Sequence, residues 1–256
     1  MKILNDKAVY SAEKLKKLID CHDAISFDIF DTLVMRTVYF NKDVFRIVAG
    51  NFGQVDAEKF FKSRVYAEFV LSRNGYPFIE NIYKIVSEKL GLCDELAEQM
   101  MRYEIEVEKK VIVPRQASVE IFNYCKRCGK KIYIISDMYL RCEFLEKILK
   151  KFGIFGYEKV FVSCEYNTSK SQNLFRRFLS EVKAKSYLHI GDSEECDIVP
   201  SSMVGMDNFR VKTAAELWET AGGTVPEDLC ERGSIAELIS DKYNNPFALC
   251  NPCGEA

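Results

Sequence analysis

An aspartate that closes an apolar run is the feature of this sequence that first suggests chemistry. Residues 24–28, Ala-Ile-Ser-Phe-Asp, form a short β-prone run that delivers a carboxylate straight into the polar turn Ile29-Phe30-Asp31-Thr32. In open α/β sheets ligands bind outside the carboxyl ends of the strands, so Asp28 faces a site and not the core. It is the candidate nucleophile. Three further runs end in the same manner. Residues 131–135 lead into Ser136-Asp137-Met138, which offers a hydroxyl and backbone N–H groups; residues 160–163 are followed, across Cys164 to Ser169, by Lys170; the run ending at Ile190 leads into Gly191-Asp192, with Asp197 beyond.

In a parallel sheet all four points lie on one edge. Asp28, Asp192 and Asp197 would converge there, and such carboxylates cannot stay ionised together without a cation. A water-rich site with few carboxylates suits Mg²⁺. That cation draws an anionic substrate, and Lys170 with the Ser136 hydroxyl would hold its remaining oxygens. Phosphoryl transfer through an aspartyl-phosphate on Asp28 is the chemistry that follows.

The elements that position these residues are legible in the periodicity. Residues 11–20 read as a short amphipathic helix ahead of the first strand, and His22 between them reads as a surface or loop residue. From residue 37 to about 113 the period is helical, in segments 43–51, 56–73, 79–90 and 94–111. Phe60, Phe61, Val65, Phe69 and Val70 recur at helical spacing and read as core, with Asn74-Gly75 as a left-handed stop. The charges of the last segment, among them Glu104 and Glu108, read as a solvated face, or in part as the rim of a site. After Pro114, helices at 117–128, 140–152, 171–182 and 198–204 alternate with strands at 131–135, 159–163, 187–190 and 208–211. That alternation predicts βαβ units and a mostly parallel sheet. The fold class is α/β, a Rossmann-like core interrupted after its first strand by an all-helical block. Residues 1–36 and 114–256 form the core and 37–113 the insert. Helices near 214–220 and 235–243 are expected in the tail, to which no role is assigned.

A net charge of -2, from 36 basic and 38 acidic residues, gives no reason to invoke nucleic acid or an anionic membrane. A small-molecule partner is the better expectation. The charged start and the lack of a membrane-length apolar run point to a soluble cytoplasmic protein; oligomeric state is not legible. The ten cysteines are dispersed and read as reduced thiols. Two pairs, Cys125/Cys128 and Cys250/Cys253, have Cys-x-x-Cys spacing: one reading is a shared zinc site, the other a helical turn and a loose tail.

The four motifs, in this order and at these strand ends, resemble those of the haloacid dehalogenase superfamily, most of whose members are phosphatases. The resemblance extends to about Val211. It implies that Asp28 is the nucleophile, that Thr32, Ser136 and Asp137 bind phosphate, and that Lys170 balances charge on Asp28 and the phosphoryl group. It places Mg²⁺ on Asp28, Phe30, Asp192 and Asp197. Residues 37–113 resemble the helical cap that this superfamily inserts after its first motif, and Arg36, where the cap departs, is a candidate substrate contact or a structural salt bridge. Residues 27–33 and 136–140 further resemble a bacterial subgroup of predicted hydrolases associated with cell-surface glycan synthesis.

One departure matters. The usual phosphatase has an acid–base Asp two residues after the nucleophile, where this chain has Phe30. Asp31 stands one residue later, and successive extended residues point opposite ways. Asp31 serves as the catalytic acid if the turn swings it inward. Loss of that help costs about 10²–10⁴-fold. The expected function is Mg²⁺-dependent hydrolysis of a small phosphorylated metabolite such as a sugar phosphate. The alternatives are a catalytically attenuated interaction or regulatory module and another chemistry such as dehalogenation, whose enzymes also lack the second Asp but need no metal.

Overall fold

The computed structural model describes residues 11–73 and 75–248. Helix α1 (Ala12–Asp20) opens the chain, its first turn capped by the Ser11 hydroxyl, which accepts the Lys14 N–H, as Ser commonly does there. Strands β1 (Ala24–Phe27) and β2 (Val34–Arg36) follow, then four helices: α2 (Asp43–Gly50), α3 (Ala57–Ser72), α4 (Ile79–Leu90) and α5 (Asp94–Val111). Strand β3 (Ile112–Pro114) returns antiparallel to β2. Then come α6 (Gln116–Arg127), β4 (Lys131–Ser136), α7 (Cys142–Lys151), β5 (Lys159–Val162), a short α8 (Ser163–Tyr166), α9 (Phe175–Glu181), β6 (Tyr187–Gly191), α10 (Val199–Met203) and β7 (Asp207–Arg210). Helices α11 (Ala214–Thr220) and α12 (Leu229–Lys242) close it.

The five parallel strands lie in the order β5-β4-β1-β6-β7. The chain builds outward from β1 through β4 and β5, then crosses to β6 and β7 on the other side. Strand order therefore reverses at β1, and the crevice at such a switch point is where open α/β sheets bind ligands. All four residues of β1 are buried, which is why the sequence there is an apolar run and not an alternation. The molecule is thus an α/β protein with a mostly parallel sheet and a helical cap, α2–α5, rising from the β2–β3 ribbon. That ribbon escaped the periodicity because strands of three residues are too short to show one. Among the described residues no helix is long and apolar enough to cross a membrane.

Two expectations for the cap are corrected. Phe69 is 62% exposed, so the apolar pattern of α3 is not all core. Glu104 and Glu108 on α5 are buried, not solvated. Glu104 accepts bonds from the Arg64 guanidinium and the Tyr83 hydroxyl; Glu108 accepts from Arg36 and from the Tyr139 hydroxyl. Burial of a carboxylate is tolerable when it is paired in this way. Helix α3 ends at Ser72; Asn74 lies outside the described residues, and Gly75, at φ 141°, serves a different end. A Cβ there would collide with the Asn167 side chain, whose Oδ1 accepts the Tyr76 N–H at 3.1 Å. The cap touches the core again where the Ile79 N–H donates to the Tyr139 carbonyl at 3.0 Å.

His22 is a buried residue, not a surface one. Its ring bonds the Leu18 carbonyl at 2.6 Å and Asp207 Oδ2 at 2.8 Å, partners 4 and 185 residues away that no local pattern joins. Cys125 is buried in α6, and burial pushes its thiol up to about 12. Cys250 and Cys253 lie outside the described residues.

Candidate active site

Asp28 stands one residue beyond β1, and its N–H donates to the Ile190 carbonyl at 2.9 Å, so the β1–β6 pairing extends to the carboxylate-bearing residue itself. Burial pushes its carboxyl up to about 7; Lys170 opposes that rise and Asp197 adds to it. Lys170 Nζ donates to Asp28 Oδ1 at 2.8 Å and to Asp197 Oδ1. Burial works against the ammonium, but Asp197, Asp28 and Asp137 together hold its pKa well above the ordinary lysine value.

Lys170 opens a π-helical turn, Lys170–Leu174, where the sequence suggested ordinary helix. Its backbone N–H is accepted by the Asp137 carboxylate at 2.9 Å. Asp137 therefore caps this turn and not α7, whose N-cap is Arg141. Burial raises the Asp137 carboxyl to about 6, against the pull of Lys170. The loop carrying Asp137 is held by Ser163, whose Oγ accepts the Met138 N–H at 2.8 Å. Beside it the Ser136 hydroxyl is fully buried and has no hydrogen-bond partner among the described residues. An orphaned hydroxyl is costly unless something else occupies it.

A second π-helical turn, Glu194–Ile198, brings Asp197 back under Gly191. A Cβ on Gly191 would overlap the Asp197 carboxylate, which is why glycine stands there. Asp197 Oδ2 accepts the Ser193 N–H at 3.0 Å, and Oδ1 accepts His189 Nε2 at 3.0 Å as well as Lys170. Burial opposes ionisation, yet Lys170 and His189 hold the carboxyl well below the usual range. A carboxylate can only accept, so Nε2 carries the imidazole proton; Nδ1 is then an acceptor and the Ser26 hydroxyl donates to it at 2.9 Å. Ser26 and His189 are direct partners across β1 and β6. Neither was singled out from the sequence, although a histidine between Leu188 and Ile190 in a buried strand must find a partner, and that was the available signal.

Asp192 is half-buried and accepts the Thr32 hydroxyl at 3.3 Å. Burial, then Asp31, Asp28 and Asp197, raise its carboxyl well above the ordinary value. Asp31 adopts φ 55°, a left-handed turn that Asp tolerates better than most residues. The turn breaks strand alternation, and the Asp31 carboxyl, raised by burial, lies among Arg36, Arg115 and Asn41. Arg36 forms the salt bridge of its two readings, with Nε at 2.9 Å from Glu108, and its guanidinium lies 4.0 Å from the Phe30 ring centroid. That leaves Phe30 its backbone carbonyl as the only group to offer a metal. Glu194 and Glu195 are exposed.

No family model and no curated protein matches the sequence. Solved structures do match. YfnB of Bacillus subtilis, assigned as a HAD-hydrolase and bound to magnesium, aligns at TM-score 0.52 and 14% identity over 78% of this chain and 98% of its own. L-2-haloacid dehalogenase from Xanthobacter autotrophicus aligns at 0.52 and 14%, covering 83% and 87%. A protein of Thermotoga maritima assigned as a β-phosphoglucomutase aligns at 0.53 and 15%, covering 86% and 97%. The chain has the haloacid dehalogenase fold.

Within that fold the carboxylates are too many for their cation. Ligand oxygens of Asp28, Asp192 and Asp197 lie within 4.8 Å of one another, and Lys170 alone bonds two of the three. The donor set is all oxygen and the excess charge negative, which fits Mg²⁺. Asp197, already bonded by three donors, has the least capacity left. Gly191→Ala tests how tightly this haloacid dehalogenase core is packed: displacing Asp197 is expected to cost about 1–3 kcal/mol of stability and to lower any turnover, read by thermal unfolding and by assay.

Proposed function

We propose that this protein is a Mg²⁺-dependent phosphomonoesterase that hydrolyses a small phosphorylated metabolite, such as a sugar phosphate, through an aspartyl-phosphate on Asp28. The observation that carries the reading is Lys170 bridging Asp28 and Asp197, with Asp192 alongside and the unpartnered Ser136 hydroxyl at the next strand end. Dehalogenation shares the fold and the lack of an acid at Phe30, but it leaves the acidic cluster without a purpose.

Lys170 holds the Asp28 carboxylate, which attacks phosphorus while the ester P–O bond breaks. The Ser136 hydroxyl, and the Thr32 hydroxyl once it turns from Asp192, donate to phosphoryl oxygens, whose charge must be met by positioned donors. Asp31, swung out of strand alternation by its left-handed turn, gives its proton to the departing ester oxygen. It then takes a proton from water as the water oxygen attacks the aspartyl-phosphate, releasing phosphate and restoring both carboxyl groups. Asp28, Asp192, the Phe30 carbonyl and Asp197 are the groups for Mg²⁺, which when bound neutralises charge on the phosphoryl oxygens.

The test is turnover of p-nitrophenyl phosphate with Mg²⁺ and with EDTA, and of a 2-haloacid in parallel. Activity is expected with Mg²⁺ and phosphate ester only. Asp192→Asn is expected to require at least about 10-fold more Mg²⁺. Undiminished turnover in EDTA, or halide release, would overturn the reading.

A further inference from the structure

Arg115 is the first residue after the β2–β3 ribbon, and its side chain is wholly buried. Among the described residues no carboxylate bonds it. Nε donates to the Asn244 carbonyl at 2.9 Å, and Nη1 donates to the carbonyls of Lys212, at 2.7 Å, and Asp31. The Arg115 backbone N–H donates to the Leu33 carbonyl at 2.9 Å. One residue therefore grips the segment after the nucleophile at two points, Asp31 and Leu33. The guanidinium remains a cation at neutral pH: burial lowers its pKa to about 10 while Asp31, Asp192 and Glu216 oppose the fall.

The grip is itself anchored by the segment following α12. Asn244 Nδ2 donates to the Pro114 carbonyl at 2.9 Å, and its Oδ1 accepts the Gln116 N–H at 3.1 Å. These bonds flank Arg115 on both sides in the chain, so Asn244 fixes the backbone from which the guanidinium reaches. A left-handed residue in a turn is a strained position that its surroundings must over-determine, and three backbone carbonyls from distant parts of the chain meet at this one side chain.

We propose that Arg115 is a positioning residue for Asp31, and that Asn244 makes the C-terminal segment part of the apparatus that presents the Asp31 carboxyl to the substrate. This rests on the phosphatase reading above. A group that delivers a proton must be held close to its acceptor, and small displacements there cost rate. Arg115 touches no substrate; it acts through the turn.

The test uses two substrates that differ in their need for a proton. An alkyl phosphate expels a strongly basic alkoxide, whereas p-nitrophenolate leaves without help. Arg115→Met, Arg115→Lys and Asn244→Ala are expected to slow the alkyl ester by about 10–10²-fold in kcat, with p-nitrophenyl phosphate falling less than about 3-fold. Asp31→Asn shows the same selectivity, and adding Arg115→Met to it causes little further loss. Equal losses on both esters, or none on the alkyl ester, overturn the proposal. A second readout needs no turnover: amide hydrogen exchange at Leu33 and Val34, whose N–H groups bond Ile29, is expected to speed up in Asn244→Ala. Unchanged exchange there also overturns it. Failure of the wild type on both esters condemns the phosphatase reading instead, and the exchange measurement then decides the grip of Arg115 alone.

Discussion

Asp28→Asn is expected to abolish phosphate release, by on the order of 10⁴-fold or more, because an amide cannot form the covalent intermediate. Wild-type protein quenched in acid during turnover should carry one phosphoryl group on the peptide containing Asp28, and the variant none. Turnover that persists in the variant would remove Asp28 from the nucleophile's role. The same substitution has a second, opposite signature in metal-free protein. The folded-state carboxyl titrates near 7, above its ordinary value, so the native state binds a proton more tightly than the unfolded chain does. Stability then falls as pH rises from about 4 toward 7. Asparagine removes that dependence, so the metal-free variant should be more stable than wild type at neutral pH while inactive. A denaturation series across pH reads both effects.

Lys170→Met comes next in size. Its 2.8 Å bond to Asp28 and its bond to Asp197 disappear together, leaving two buried carboxylates without their cation. Breaking one side of such a pair costs about 3–5 kcal/mol. The loss has a pH signature: without the ammonium both folded-state carboxyl values rise, so destabilisation is smallest in acid, where the groups are protonated, and grows toward neutrality. Mg²⁺ should return part of the lost melting temperature while turnover stays depressed. A uniform loss at all pH values, untouched by Mg²⁺, would mean that Lys170 contributes packing alone.

Asp28, Ser136, Lys170, Asp192 and Asp197 were legible because each follows an apolar run, and a parallel sheet carries all such run-ends to one edge. Helices α4 and α5 were legible to the residue, since long periodic segments bounded by turn residues carry their own signal. What escaped depended on distant partners. His189 and Ser26 meet only through the β1–β6 register; Glu104 and Glu108 look solvated until Arg64 and Arg36 are placed beside them; Arg115 carried no signal, since the three carbonyls that surround it come from remote segments. The two π-helical turns at Lys170 and Glu194 escaped for another reason: a single widened turn leaves no period to detect. Helix α12 begins six residues before the expected 235 because Asp228 caps it, accepting the N–H groups of Cys230 and Glu231.

Cap and core share an apolar cluster, but part of their contact is directional: Arg36 and Tyr139 on Glu108, Tyr76 on Asn167, Ile79 on Tyr139. Greasy surfaces can slide over one another by degrees, but hydrogen bonds and ion pairs of this kind are either in register or absent. Displacing the cap from the core therefore breaks these bonds as a set.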